Sequence, residues 1–443
     1  MKITVKIALA LVIFSLHCRL LAQWTPVLDN VTPVDIEISP DYLMDQTVYI
    51  LDDEEKIWIS ETGGSVWTTV YDADNPSDPS QAVQEIVLSP NFKTDNAIVM
   101  IHKDGTMKIS PDRGQHWLTI PAPEGVTDMV FSPLFADDYT MHCITGAFGP
   151  VKFYQSVNGG VTWGDPVSDI TIGGGYYSKL WNSTDPMAKD TFAVQYENQS
   201  LYFSYDGGET WQNSFGAQVS VRDFAFSPQF SSDSIAFITD AADIYKNAHG
   251  GKELFWENKG TFPGSFGIKF AISPAFGTDQ TIFAAVDQVG ISRSIDAGET
   301  WAPFNEGFTS ILPISIAISN ALPYTLFAGT MGAGGTPDKV WRYQWYSGTG
   351  DEGSMENAWF SCHPNPFKQN ARLDFELHQG GHVQISISDM NGRKIMTLLD
   401  EDLEKGPHSV VLNNTQGLLP SGFYICRIET NGLVGTGKLV VSR

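Results

Sequence analysis

A chain of 443 residues exceeds what one ordinary hydrophobic core serves, so two or more folded units are expected. Hydrophobic residues make up 42% and charged residues 18%, with 41 Gly and 24 Pro; this is a turn-rich, globular, all-β composition that excludes a disordered or coiled chain. The formal net charge is −24, carried by the region 23–345, and a surface that anionic repels phosphate backbones, which excludes nucleic acid as a partner.

The chain opens as a leader. Lys2 and Lys6 give a basic start, an apolar run covers Ile7 to Leu16, and Leu20-Leu21-Ala22 offers a small residue for cleavage before Gln23. The run is well short of the roughly 20 residues that cross a bilayer, so residues 1–22 read as a signal peptide and no transmembrane anchor is expected. Cys18 leaves with it. Of the remaining cysteines, Cys143 reads as a buried strand residue, while Cys362 and Cys426 share the last domain and are a candidate pair.

Residues 23–345 repeat. Each unit opens on an apolar strand ending in Ser-Pro: DIEISPDYLMDQTVYIL from Asp35, EIVLSPNFKTDNAIVMI from Glu85, DMVFSPLFADDYTMHCI from Asp128, DFAFSPQFSSDSIAFI from Asp223 and KFAISPAFGTDQTIFAA from Lys269. Degenerate copies start at Lys179 and Ser315. Each unit closes on a tight turn followed by tryptophan. SPDRGQHW ends at Trp117, SVNGGVTW at Trp163, SYDGGETW at Trp211 and SIDAGETW at Trp301, with weaker forms ending at Trp67 and Trp256.

These turns resemble the Asp-box, or BNR, repeat. Asp112, Asn158, Asp206 and Asp296 are placed to accept turn N–H groups, the glycines take positive φ, and the tryptophans pack beneath the turn, so all are read as structural. Trp24 opens the mature chain as WTPVL, like the strand WTTVY after Trp67, with no first three strands before it. The last unit, ending near Trp345, has three strands and no such turn. The Trp24 strand is therefore expected to complete the last blade of a closed, seven-bladed β-propeller.

Four residues before each Ser-Pro serine stand Asp35, Glu85, Asp128 and Asp223, with Lys179, Lys269 and Ser315 in the other units. Opening each innermost strand, they should ring the channel mouth opposite the Asp-box turns. They are candidates for a calcium site or for binding a basic or hydroxyl-rich ligand; the competing reading is blade-to-blade hydrogen bonding. Interblade loops add candidate contact aromatics at Tyr177, Phe262 and Phe266, with Phe304 and Phe308. The loop DADNPSD from Asp72 to Asp78 has calcium-like spacing but lacks the Gly and Glu of an EF-hand.

Asp-box propellers include sialidases and xyloglucan-cleaving enzymes, so fold does not decide function. A sialidase needs three arginines converging on a carboxylate; the region offers only Arg113, Arg222, Arg293 and Arg342, placed in dissimilar parts of the repeat. Xyloglucan-cleaving relatives face two propellers across a cleft, and here there is one. The expectation is a propeller that binds a glycan or protein ligand. The alternatives are a glycoside hydrolase using channel carboxylates, with Asp240, Asp243 and Asp287 joining the ring acids, and a surface scaffold or adhesion protein.

Residues 346–358, rich in Gly, Ser and acids, read as a flexible linker. Residues 359–443 hold short alternating strands that suit a small β-sandwich. PNPF at Pro364 to Phe367 (with Asn365 and Pro366), DMNGRKI with its turn at Gly392, LPSGFYICRI with its turn at Gly422, and the terminal KLVVSR follow in order. Together they resemble a type IX secretion C-terminal sorting domain of type A. The resemblance implies recognition by the type IX secretion machinery, a secreted or cell-surface location reached through the periplasm, and attachment to surface lipopolysaccharide after removal of the domain.

Overall fold

The computed structural model describes residues 23–442 apart from 73–81, 147–149, 171–177, 197–199, 216–220, 253–255, 264, 266, 311, 321–323, 333–337, 346–359, 364–366, 378–379, 390–392, 415–417 and 431–432. It divides into a unit over Trp24–Ser347 and a second unit that holds the C-terminal strands.

Among the described residues, the first unit contains seven four-stranded antiparallel sheets. Six are built from strands consecutive in sequence; the seventh takes Pro313–Ile318, Tyr324–Thr330 and Lys339–Trp345 from the end of the unit and Thr25–Asp29 from its beginning. The first strands are Pro33–Ile38, Val83–Leu88, Val126–Phe131, Ser178–Asn182, Asp223–Phe226, Ile268–Ile272 and Pro313–Ile318. Each touches the first strand of the next sheet, and the seventh touches the first, which closes the ring of a β-propeller. Second strands such as Val48–Asp52, Met141–Thr145 and Ile282–Val286 are buried at every position, because neighbouring blades cover both faces of the sheet. That double burial is why they read as unbroken apolar runs rather than as alternating ones.

The Ser-Pro segment after each first strand forms a clasped turn. Ser39 Oγ donates to Asp45 at 2.7 Å, Asp45 accepts the Thr47 N–H at 2.9 Å, and the short helix Tyr42–Asp45 ends at Gln46, whose φ is +53°. Ser89–Asp95, Ser132–Asp138, Ser227–Asp233 and Ser273–Asp279 repeat the clasp at 2.5–2.8 Å. The Asp-box-like turn hangs on it: Gly63 N–H donates to Gln46 O, Arg113 to Asn96, Gly159 to Tyr139, Gly250 to Ser234 and Ala297 to Gln280, all within 3.1 Å.

In every such turn but the one ending at Trp256, where Asn247 takes the place, a serine opens the turn and accepts the N–H of the glycine four residues on. Ser110 Oγ donates to Asp112 at 2.8 Å and accepts the Gly114 N–H at 2.7 Å, while Asp112 accepts the His116 N–H at 2.9 Å. Ser156–Asn158, Ser204–Asp206 and Ser294–Asp296 do the same. The second glycine has no substitute: Gly208 sits at φ +87°, and a β-carbon there would lie 2.3 Å from the Phe153 ring. The box tryptophans also differ from the simple expectation. Rather than only packing under their own turn, Trp67, Trp163, Trp256 and Trp301 send the indole N–H to a backbone oxygen of the preceding blade, Val27, Pro121, Ser214 and Lys259, at 2.9–3.1 Å.

In the second unit, Phe360–His363, Asn370–Leu377 and Gly406–Asn413 form one sheet, and Lys394–Leu403, Gly381–Ser388, Gly422–Thr430 and Leu433–Val441 form another. Leu373, Phe375 and Leu412 of the first meet Val383, Ile385, Cys426 and Ile428 of the second in one core, the arrangement of a small sandwich. Cys426 and, in the propeller, Cys143 are buried. The side chain of Cys362, the residues Pro364, Asn365, Pro366 and Gly392, and the 346–358 segment lie outside the described residues.

Candidate functional site

The first strand of a blade is a sheet edge facing the channel, so its outward N–H groups need partners from elsewhere. Acids at the opening position supply them. Asp35 accepts the N–H of Ile36 at 2.9 Å and that of Ile86 in the next blade. Asp128 accepts Met129 N–H at 2.7 Å and, across the blade boundary, Leu180 N–H at 2.8 Å. Asp223 accepts Phe270 N–H at 2.9 Å, and Ser315 Oγ closes the circle by donating to Pro33 O at 2.9 Å. Three of the four ring acids thus stitch one blade to the next.

Glu85 is longer and does something else. Its carboxylate lies 2.9 Å from Lys179 Nζ, which also stands 3.7 Å from Asp128, so Lys179 gathers the acids of blades 1 to 3 around a single ammonium. Asp128 is buried, with its side chain 2% exposed, whereas Lys179 is 43% exposed. Asp223 lies elsewhere on the ring, 3.8 Å from Lys269, whose Nζ also donates to Arg222 O.

One ammonium does not neutralise these carboxyls. Burial and then the charge of Glu85 push Asp35 up to about 6, against the pull of Lys179 and of the two N–H donors. Burial, then Asp35 and Glu85, hold Glu37 well above the ordinary glutamate range, and burial with Glu85 does the same for Asp128. Burial alone would lower Lys179, but Asp128 and Glu85 outweigh it and keep the amine protonated. Sequence reasoning passed over Glu37. Its signal was there: the same place two residues into the first strand is Val87, Val130, Trp181, Ala225, Ala271 and Ala317 in the other blades.

The other candidates do not join this cluster. Asp240 accepts the N–H groups of Ala242 and Asp243 in its own turn, Asp243 accepts from Asn258 and Thr261, and Asp287 accepts from Gln288. Phe262 is half-buried with its ring 6.0 Å from that of Trp301, a loop anchor. Phe304 and Phe308 pack on Trp24. Tyr177, Phe266 and the segment Ala73 to Asp78 fall outside the described residues. Among the described residues, no three His, Cys, Asp or Glu side chains are arranged to hold a metal ion, calcium included. The arginines are dispersed too: Arg113 pairs with Glu61, Arg342 donates to Gly63 O, and Arg293 lies over Phe304.

Residues 361–442 match the model of the secretion system C-terminal sorting domain. The C-terminal unit is a type IX secretion sorting domain. Through this sorting domain the protein is exported to the cell surface or the extracellular space. No helix among the described residues is long and apolar enough to cross a membrane.

No curated protein matches the sequence. Solved structures match the fold. YCF48 from Cyanidioschyzon merolae is 15% identical with a TM-score of 0.52, over 73% of this chain and 99% of that one. The GH74 xyloglucanase from Xanthomonas campestris is 13% identical with a TM-score of 0.51, over 80% of this chain and 59% of that one. PorZ of Porphyromonas gingivalis, a surface component of the type IX secretion system, is 12% identical with a TM-score of 0.51, over 93% of this chain and 59% of that one. At such identities the likeness establishes a β-propeller and not an activity.

Proposed function

We propose that this exported propeller is a recognition protein whose channel mouth, at Asp35, Glu37, Glu85, Asp128 and Lys179, takes an extracellular glycan or protein ligand carrying amine or hydroxyl groups. The observation that carries the reading is the unbalanced charge: four half-buried or buried carboxyls face one ammonium, so a ligand donor finds acceptors already gathered and partly desolvated. The PorZ likeness fits a surface role, and residues 1–22 fit a leader removed before export. Attachment to surface lipopolysaccharide after removal of the sorting domain belongs to the same reading.

A glycoside hydrolase is the second reading, favoured by Asp35, raised by its burial and by the charge of neighbouring Glu85, since acid and base work needs two carboxyls close together with one held protonated. Incubating the purified mature chain with a polysaccharide and host-glycan panel, scoring both binding and released reducing ends, separates them. Binding that Glu37→Gln and Glu85→Gln weaken, without product, supports recognition; product release that Asp35→Asn abolishes supports hydrolysis; binding indifferent to all three substitutions moves the site away from the channel mouth.

A further inference from the structure

The repeat supplies its own control. Tyr139 ends the short helix Phe135–Asp138 in blade 3, at φ +50°, where the other blades that keep this helix have Gln46, Asn96, Ser234 and Gln280. All are polar, and a left-handed conformation disfavours a bulky aromatic; the Tyr139 ring meets that of Phe135 edge-on at 6.0 Å yet remains largely exposed. Val161 of the adjoining Asp-box occupies the place of Ser65, Gln115, Glu209, Lys252 and Glu299, again all polar. The two positions are neighbours, because the Gly159 N–H donates to Tyr139 O at 2.8 Å and Gly159 lies in the same tight turn as Val161. Val157 flanks that turn on its other side. From blade 2, Ile120 Cδ1 would lie 3.3 Å from a β-carbon on Gly160, and Leu118 stands exposed two residues before it on the same strand.

These side chains are large, apolar and open: Tyr139 is 58% exposed, Val157 65%, Val161 64% and Leu118 58%. The clasped turn and Asp-box around them, 134–139 and 156–165, carry Asp137, Asp138 and Asp165 and no lysine or arginine. We infer that the Asp-box end of blade 3, opposite the channel mouth, docks a protein partner through a segment that presents apolar side chains bordered by Lys or Arg. Charge selects this occupant. A second copy of the propeller brings another −24 and an anionic lipid surface brings the same sign, so both are repelled, whereas a basic rim is attracted and an apolar ridge covers the Tyr-Val face. The inference is independent of any ligand at the channel mouth.

The test places a photo-crosslinking amino acid at 161 and, as the control, at 299 in the full chain exported by its own host, followed by mass spectrometry of the adducts. The expected result is an adduct at 161 and not at 299, mapping to one protein through an apolar segment beside Lys or Arg. That protein, purified, should bind the Tyr139→Gln/Val161→Glu chain at least tenfold more weakly, with unchanged melting, since the pair is what blade 6 already carries as Gln280 and Glu299. If the double variant melts early, Val161→Glu alone carries the affinity measurement. No adduct at 161, equal adducts at both positions, adducts to a second copy, to lipid or to glycan, or undiminished affinity of the variant overturns the inference.

Discussion

The indole Nε1 of Trp24 donates to the carbonyl oxygen of Phe304 at 2.8 Å, joining the first residue of the propeller to the sixth blade across 280 positions of sequence. The same ring lies against Phe304, Phe308 and Tyr343 with centroids 5.4–6.3 Å apart, and it is 1% exposed. Trp24 thus takes the place that the turn tryptophans hold in the other blades, without the turn before it. Trp24→Ala therefore opens a cavity at the ring seam and should cost about 3–5 kcal/mol, the usual range for truncating a buried aromatic. Chemical denaturation reads this directly; a midpoint equal to that of the wild type would show that the seam is not held here.

Ser294 is the hinge pin of the Asp-box-like turn in blade 6, donating to Asp296 at 2.8 Å and accepting the buried Gly298 N–H at 2.8 Å. Ser294→Ala leaves that N–H without its acceptor and should cost about 1–3 kcal/mol, more than a typical net hydrogen bond. Hydrogen exchange at Gly298 and Thr300 should quicken with it. Protection unchanged at both amides would make the serine dispensable.

The carboxyls around Lys179 set a pH dependence whose sign is fixed by their direction. Asp35 and Glu37 titrate higher in the folded chain than their ordinary values of 3.8 and 4.5, so the fold favours their neutral forms. Their contribution is present in full below those ordinary values. It is lost as pH rises, through about 6 for Asp35 and well above the ordinary glutamate range for Glu37. Glu37→Gln should consequently raise the melting temperature at pH 7.5 and have little effect at pH 4; calorimetry showing the larger gain at pH 4 would contradict the assignment.

Lys179 holds the same cluster together from the other side. Lys179→Met leaves Glu85 and Asp128 facing each other without a cation, and should lower the melting temperature at neutral pH and recover part of the loss at pH 3.5, where Asp128, held well above the ordinary aspartate range by burial and Glu85, is protonated. A loss of the same size at both pH values would indicate a packing role for the lysine stem.

Passage from the periplasm to the surface should depend on the C-terminal unit. A chain ending at Trp345 keeps every strand of the propeller but lacks residues 361–442, and it should accumulate in the periplasm while the full chain reaches the surface or the medium. Cell fractionation with immunodetection distinguishes the two; surface exposure of the truncated chain would mean that the propeller carries a second address.

Ring architecture was readable from the chain because its periodic signals are local: Ser-Pro turns, Gly pairs and Trp at fixed offsets each specify a few bonds within one blade. The displaced strand at Trp24 was readable for the same reason, since WTPVL looks like WTTVY. What the repeat concealed is what happens between blades. Asp35, Asp128 and Asp223 read equally well as ligand acids or as interblade acceptors until the N–H groups of Ile86, Leu180 and Phe270 are placed beside them. Glu37 and Lys179 belong to one cluster only because blades 1 to 4 curve around a common channel, a relation between residues 142 positions apart that no local pattern encodes. The sandwich motifs were legible as an address, while their mutual contacts depend on two sheets folding over one core.

Thr25 pairs with Arg342 and Asp29 with Lys339, so the strand that enters the propeller and the strand that leaves it run antiparallel, with the chain's way in and way out at the same end of one blade. Tension applied between those two ends would open the pair like a zipper, one rung after another from Thr25 and Arg342, instead of loading all rungs at once in shear. The ring's mechanical weak point is thus also its point of entry and exit, and the six uninterrupted blades stand behind it as the part that yields last.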